Sequence, residues 1–233
     1  VAVQLAESRT GVFPSRGLYR LASVAGLRLG SGRCRNPVIG SPRYSLAAAI
    51  AVGCETLGLT LEESARAKMQ HHLELLQKWN RRLNLTAVAP EEMVGRHLLD
   101  SLSVLPWLSG ERVLDVGSGA GFPGLPVACA RSGLQVALLD RRRRRVEFLR
   151  HVCASAGVGN DKPLACRVED YRPEENFDTL LVRALAPLPE IVRLTRHLHY
   201  PGLRLVALKG REPHDELALI DDHGFESRVV ATH

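Results

Sequence analysis

Ten consecutive residues concentrate groups able to hold a ligand: Asp115-Val-Gly-Ser-Gly-Ala-Gly-Phe-Pro-Gly124. Gly117, Gly119 and Gly121 follow an apolar run, so the backbone there can turn tightly and approach a ligand with no Cβ between. Asp115 stands two positions before the first of these glycines, and Asp140 closes the next apolar run. A carboxylate at that second place can accept hydrogen bonds from both hydroxyls of a ribose. Gly119-x-Gly121-x-x-Gly124 also matches, formally, the fingerprint of dinucleotide-binding turns. In that fingerprint the glycines serve a pyrophosphate at a helix N-terminus. Pro123 and Pro126 remove two N–H donors from that place, and an acid beside the turn suits a cation better than a phosphate. The pattern favours S-adenosylmethionine, whose sulfonium and amino groups are positive, over a nicotinamide dinucleotide. A glycine turn without a ligand is the third reading.

Such a turn needs strands that end at it. From Arg112 onward short apolar runs alternate with helix-like stretches, the rhythm of a parallel sheet covered on both faces. The runs are Val113–Val116, Gln135–Leu139, Leu164–Val168, Thr179–Val182, Leu203–Leu208 and Ser227–Val230. Ligands on such sheets bind beyond the C-terminal strand ends, where the strand order reverses, and the first strand ends at the glycine turn. Ahead of the sheet, Leu46 to Val52 reads as a buried helix. Thr60 with Glu63 makes a capping box for a second helix, whose Leu73, Leu76, Trp79 and Leu83 recur at helical spacing. Another helix is expected after Pro90, with Met93, His97, Leu98, Ser101 and Leu105 on one side. The expected layout is a basic disordered extension over 1–45, an N-terminal helical cap over 46–110 and an α/β domain over 111–233.

The charge is unevenly spread. The net charge is +6, and residues 1–45 carry seven arginines against Glu7, so the rest is neutral. Their Gly, Ser, Pro and Arg content reads as disorder, with an organelle transit peptide or an RNA-contacting arm as alternatives. No apolar run reaches the roughly 18 residues of a membrane-spanning helix, so no membrane partner is expected. Aromatic residues are 5% of the chain, too few for a platform stacking successive bases. Five cysteines without a Cys-x-x-Cys pair, and histidines without a ligating pattern, support no metal site.

Several ordered segments together resemble one family. They are Trp79-Asn80-Arg-Arg-Leu-Asn-Leu-Thr86, Arg96-His97-Leu-Leu-Asp100-Ser-Leu102, Val113 to Gly124, Leu138-Leu-Asp140, Arg144-Arg-Val-Glu-Phe-Leu149, Arg167-Val-Glu169, Val182-Arg-Ala184 and Ala207-Leu-Lys-Gly210. From about Thr60 onward the chain resembles the bacterial small-subunit rRNA guanine-N7 methyltransferases, the RsmG or GidB family. The resemblance implies a Rossmann-like class I methyltransferase that uses S-adenosyl-L-methionine. It implies methylation of a guanine N7 in the 530 loop of 16S rRNA, position 527 in rRNA numbering. It places cofactor contacts at Gly117, Phe122, Val168, Glu169 and Arg183, with Asp140 where the ribose is usually bound. Asp115, Gly119 and Gly121 complete the expected cofactor set.

The chemistry of that reaction agrees with the residues. Guanine N7 has a free lone pair and loses no proton, so no general base is needed; the demand is alignment at about 3–3.5 Å. Enzymes that methylate exocyclic amines resemble one another in an Asn/Asp-Pro-Pro-Tyr/Phe motif after the fourth strand, where this chain reads Arg183-Ala-Leu-Ala-Pro187. Nor does the chain contain the Pro-Cys of cytosine-C5 enzymes. Arg183 is the expected catalytic residue, positioning the base. Arg144, Arg145, Arg167 and Lys209 are expected RNA contacts. Arg167 pairing with Glu169 or Asp170, a structural ion pair at Lys209 and a solvated arginine face are the plainer alternatives. The run Arg141 to Arg145 opens a helix, and cations at a helix N-terminus oppose the macrodipole. The family resembles Ser-Leu-Gly/Asn-Lys-Arg there, so Arg141 to Arg143 depart from it.

The expected partner is 16S rRNA or the 30S subunit, the expected state a monomer and the expected location the cytoplasm, or an organelle matrix if residues 1–45 are a transit peptide. Relatives resemble His-Leu-Val-Val-Ile-Lys at an antiparallel seventh strand between strands five and six. The sequence ends at His233 before such a segment, so that strand is expected to be missing and strand six to lack a neighbour. A catalytically inactive methyltransferase-fold assembly or RNA-binding protein, and a small-molecule enzyme, are the competing functions.

Overall fold

The apolar runs become one seven-stranded sheet in a computed structural model that describes residues 1–7, 45–210, 213–220 and 225–230. Its strands are β1 (Ala2–Glu7), β2 (Arg112–Val116), β3 (Gln135–Asp140), β4 (Asp161–Ala165), β5 (Thr179–Arg183), β6 (Arg204–Leu208) and β7 (Phe225–Val230), in the order β4-β3-β2-β5-β6-β1-β7. Strands β2 to β6 are mutually parallel, and β1 runs antiparallel to both β6 and β7. The central strands are buried almost throughout, as a sheet covered on both faces requires. Val113, Leu138, Leu181 and Val206 meet the helical cap; Leu114, Leu139, Leu180 and Leu205 pack on the opposite side. The sheet is the α/β Rossmann-like arrangement expected from the sequence.

The helices are α1 (Leu46–Thr56), α2 (Glu63–Leu83), α3 (Asp100–Leu102), α4 (Gly124–Ala130), α5 (Arg143–Ala156), α6 (Leu188–Thr195) and α7 (His214–Ala218). Ser45 caps α1 by accepting from the Ala48 N–H at 3.2 Å. Along α2 a stripe of Met69, His72, Leu73 and Leu76 is buried. Trp79 reaches the Phe148 and His151 rings on α5, and His71 meets Ser155, so the two helices pack antiparallel. The cap and the sheet domain share this core.

Four expectations are corrected. The Thr60–Glu63 capping box does not form: α2 starts at Glu63, behind an extended Glu62 without a side-chain cap. The helix expected after Pro90 is present, with Met93, His97, Leu98, Ser101 and Leu105 buried as expected, though it runs from a short 3-10 turn, Pro90–Glu92, through a π-helical turn, Val94–Leu99, into α3. The strand expected over 164–168 lies at Asp161–Ala165; it is an edge strand, so its side chains need not be apolar and Pro163 is tolerated there. The gap expected between strands β6 and β7 is filled by β1, which pairs Ala2 with Leu208 on one side and Val230 on the other. Ala2, Val3, Gln4 and Leu5 are all buried, because both of their backbone edges and both side-chain faces are covered. Residues 2–7 are thus not a disordered extension; the rest of that expectation, 8–44, lies outside the described residues, as do 231–233.

Candidate cofactor and base-binding site

The glycine turn leaves β2 with Gly117, Gly119 and Gly121 all at positive φ, at 76°, 58° and 96°. A Cβ on Gly117 would lie 2.8 Å from Cδ1 of the exposed Leu185 side chain, which would have to shift. The turn is held by carboxylates. Asp140 accepts from the Gly119 N–H at 3.0 Å with one oxygen and from the Arg142 N–H at 2.8 Å with the other, and Arg145 reaches it at 3.3 Å. A carboxylate offers about four lone-pair sites, so roughly one remains for a ribose hydroxyl, fewer than the two the sequence suggests.

Asp115 lies behind the turn, fully buried, and accepts from the Gly124 N–H at 2.9 Å. Burial pushes its carboxyl up to about 7, against the pull of that N–H. Among the described residues its Oδ1 has no hydrogen-bond partner. The N–H at the start of α4 that a pyrophosphate would need is therefore committed to a carboxylate, which removes the dinucleotide reading. An orphaned acid oxygen fits a cationic ligand, which would return the group to its ionised form.

A cavity of about 480 Å³ opens at the C-terminal ends of β2 to β5, lined by Gly117, Asp140, Arg145, Val168, Glu169 and Leu185. Arg167 also borders it, paired to Glu169 at 2.7 Å. Glu169's own backbone N–H and the Arg167 guanidinium hold its carboxyl below the usual range. Buried Phe122 instead sits between two imidazoles, with ring centroids 4.7 Å from His72 and 4.6 Å from His97. His72 Nε2 meets the Ala120 carbonyl at 2.7 Å, so this nitrogen carries the hydrogen and donates. The cap thus braces the underside of the turn. Sequence reasoning missed His72; its signal is a titratable residue in the apolar stripe of α2.

Arg183 ends β5 on the cap side. Its guanidinium donates to the Arg96 carbonyl, lies 3.2 Å from the Asp100 carboxylate and 3.3 Å from His97 Nδ1. It is followed by Ala184 in the left-handed region at φ 49°, a costly conformation for a side-chain-bearing residue that recurs at functional sites. Of the other expected RNA contacts, Lys209 bonds Glu216 at 2.8 Å and the Ala186 carbonyl at 3.3 Å. Arg145 is taken by Asp140 and Arg167 by Glu169. Arg144 is exposed and, with Arg141 to Arg143, forms none of the ion pairs found among the described residues.

A mostly parallel sheet with a glycine turn, buried acid and carboxylate-lined cavity at its switch point is that of a class I methyltransferase, with S-adenosyl-L-methionine as the cofactor the residues fit. Residues 65–232 match the family model described as GidB, rRNA small subunit methyltransferase G. The ribosomal RNA small subunit methyltransferase G of Alkalilimnicola ehrlichii is 48% identical over 177 residues, 74% of this chain and 79% of that protein. The same enzyme of Chromobacterium violaceum is 48% identical over 180 residues, 76% of this chain and 86% of that one. The chain belongs to the GidB family. It is an enzyme that methylates small-subunit rRNA from S-adenosyl-L-methionine. Among the described residues no helix is long and apolar enough to cross a membrane.

Proposed function

We propose that the methyl acceptor is N7 of a guanine in the 530 loop of 16S rRNA. The observation that carries this is the chemistry at the end of β5: an anchored guanidinium stands where amine methyltransferases place an amide or acid beside prolines. An exocyclic amine needs acceptors to draw off its protons. Guanine N7 needs none, and Arg183 is a pure donor. It suits the O6 edge of guanine, which leaves the neighbouring N7 lone pair free to attack.

The cofactor supplies an electrophilic methyl. Gly117, Val168 and Glu169 line its cavity, Asp140 has an acceptor for a ribose hydroxyl, and Asp115 supplies a buried negative charge. Gly119 and Gly121 shape the turn, and Phe122 supports it from beneath. Arg183 orients the base. Arg144, with Arg141 to Arg143, is free to meet RNA phosphates, and Arg145, Arg167 and Lys209 can meet them with the N–H donors their acid partners leave over. The protein acts as a cytoplasmic monomer on 16S rRNA or the 30S particle. Incubation with methyl-labelled S-adenosylmethionine and either 30S particles or naked 16S rRNA, followed by mapping of the modified base, tests this. A methyl on a 530-loop guanine N7 is expected; a methyl on any exocyclic amine or pyrimidine carbon refutes it.

A further inference from the structure

Three segments that are separate in sequence meet at one imidazole. Asn80, at the end of α2, brackets Thr86: its side-chain amide donates to the Thr86 carbonyl and its side-chain oxygen accepts from the Thr86 N–H, both at 2.9 Å. The Thr86 hydroxyl oxygen accepts from the Val88 N–H at 3.0 Å and lies 2.7 Å from His97 Nε2. His97, in the π-helical turn, turns its other nitrogen to Arg183. Its ring lies parallel to Phe122, with 14° between the planes, and is 7% exposed.

Donor and acceptor roles in this chain are fixed by elimination. A guanidinium can only donate, so His97 Nδ1 accepts from Arg183 Nη1. The ring is then neutral with its hydrogen on Nε2, which donates to Thr86. A cationic ring would set an N–H against a guanidinium at 3.3 Å. Burial, and then the Arg183 charge, push His97 down to about 4, in agreement. The Asp100 carboxylate, three residues on, meets Arg183 at 3.2 Å.

We infer that His97 and Asp100 are positioning residues that make Arg183 a fixed, charge-compensated hydrogen-bond donor toward the base. This rests on the reading of Arg183 given above. The reason for compensation lies in the reaction. As the N7–CH₃ bond forms from the N7 lone pair and the S–CH₃ bond breaks toward sulfur, the positive charge passes from the cofactor to the purine ring. A bare guanidinium beside that ring would oppose the transfer. Paired with Asp100, Arg183 keeps its N–H donors and presents little net charge. His97 completes the acceptor set, with the Arg96 carbonyl, that stops the guanidinium from rotating.

Two substitutions separate the two nitrogens of His97. In His97→Asn the amide oxygen falls near Nδ1 and can still accept from Arg183, but the link to Thr86 is gone. In His97→Gln the amide falls near Nε2, keeping Thr86 and losing Arg183. With full-length protein, saturating 16S rRNA and titrated S-adenosylmethionine, we expect kcat of the Gln variant to fall about 10- to 100-fold, the scale of a misplaced reacting group. The Asn variant should stay within a few-fold of wild type, and both should keep the wild-type cofactor Kd by calorimetry. Equal losses in the two variants, a more active Gln variant, or full activity in both overturn the inference, since each denies a path through Arg183. Should either fail to unfold cooperatively, Asp100→Asn gives the same decision: turnover falls about tenfold with cofactor Kd unchanged, or the inference fails. Arg183→Ala tells the two readings apart. If it abolishes turnover while His97→Gln does not, only the positioning role is lost. If it retains full turnover, the assignment of Arg183 itself falls.

Discussion

Acid should loosen the cap from the glycine turn through one residue, His72. It is 1% exposed, stacked on Phe122 and hydrogen-bonded to the Ala120 carbonyl. Burial pushes its imidazole from 6.5 down to about 4. The unfolded chain therefore takes up a proton below 6.5 that the folded chain refuses until about 4, so its contribution to stability is present above that window and lost as pH falls through it. Between pH 7 and pH 5 the loss is ~2 kcal/mol for one such group. Asp115 works the other way. Its raised value, about 7 against 3.8, means the folded state gains a proton first, so acidification over the same range stabilises. The raw pH profile thus mixes opposite signs, and His97, also at about 4, adds to the loss. The difference between wild type and His72→Gln isolates the effect, because the amide keeps a donor for Ala120 and does not titrate. Urea unfolding at pH 7 and pH 5, followed by the fluorescence of Trp79 and Trp107, measures it. The advantage of wild type over the variant should shrink by ~2 kcal/mol at pH 5. A difference constant to within about 0.5 kcal/mol, against that expectation, would refute the neutral buried imidazole.

Gly117→Ala places a side chain at φ 76° with its Cβ 2.8 Å from Leu185 Cδ1. The left-handed backbone alone costs about 1–2 kcal/mol of stability; a turn that shifts to relieve it moves the Gly117 wall of the cavity, so calorimetry should show weaker cofactor binding, and unchanged affinity would place the cofactor elsewhere. Arg143→Glu with Arg144→Glu should raise the thermal midpoint, since each removes an unfavourable charge at the α5 N-terminus worth about 0.3–1 kcal/mol. The same pair should weaken binding to 16S rRNA and lower the slope of log affinity against log salt by about 0.7–0.9 for each RNA phosphate no longer neutralised; an unchanged slope makes this a solvated face. Leu5→Ala, at a side chain with no exposure inside the sheet, should cost about 2–5 kcal/mol in urea unfolding, and a change below about 0.5 kcal/mol, far under that cavity cost, would mean that β1 is not seated.

The parts of the fold legible in the sequence are those whose stabilising partners are near in the chain or whose burial is total. The runs at β2, β3, β5 and β6 are apolar on both faces, and the glycine turn carries its own backbone requirement. β4 lies three residues ahead of its apolar run because an edge strand needs no apolar face. β1 is unreadable: Ala-Val-Gln-Leu-Ala-Glu opens an arginine- and glycine-rich stretch, and a strand is stabilised by neighbours that composition cannot reveal. At the site, Asp115, Gly117 and Asp140 are legible by type and spacing. That Phe122 belongs to a stack with His72 and His97, and that Lys209 is spent on Glu216, are facts of tertiary packing alone.

The seating of β1 also imposes an order on synthesis. The backbone of Val1 meets that of Lys209, 208 residues along the chain. A ribosome making this protein releases β1 long before β6, and the slot for β1 exists only when β6 has emerged. Until then the strand has no edge to join, and β6 in turn exposes an unpaired edge until β1 returns. Loop closure over such a span is slow compared with local pairing, so the half-sheet β4-β3-β2-β5-β6 should form first and β7 dock last, on β1. The interval between those events is when this chain is most open to intermolecular strand pairing.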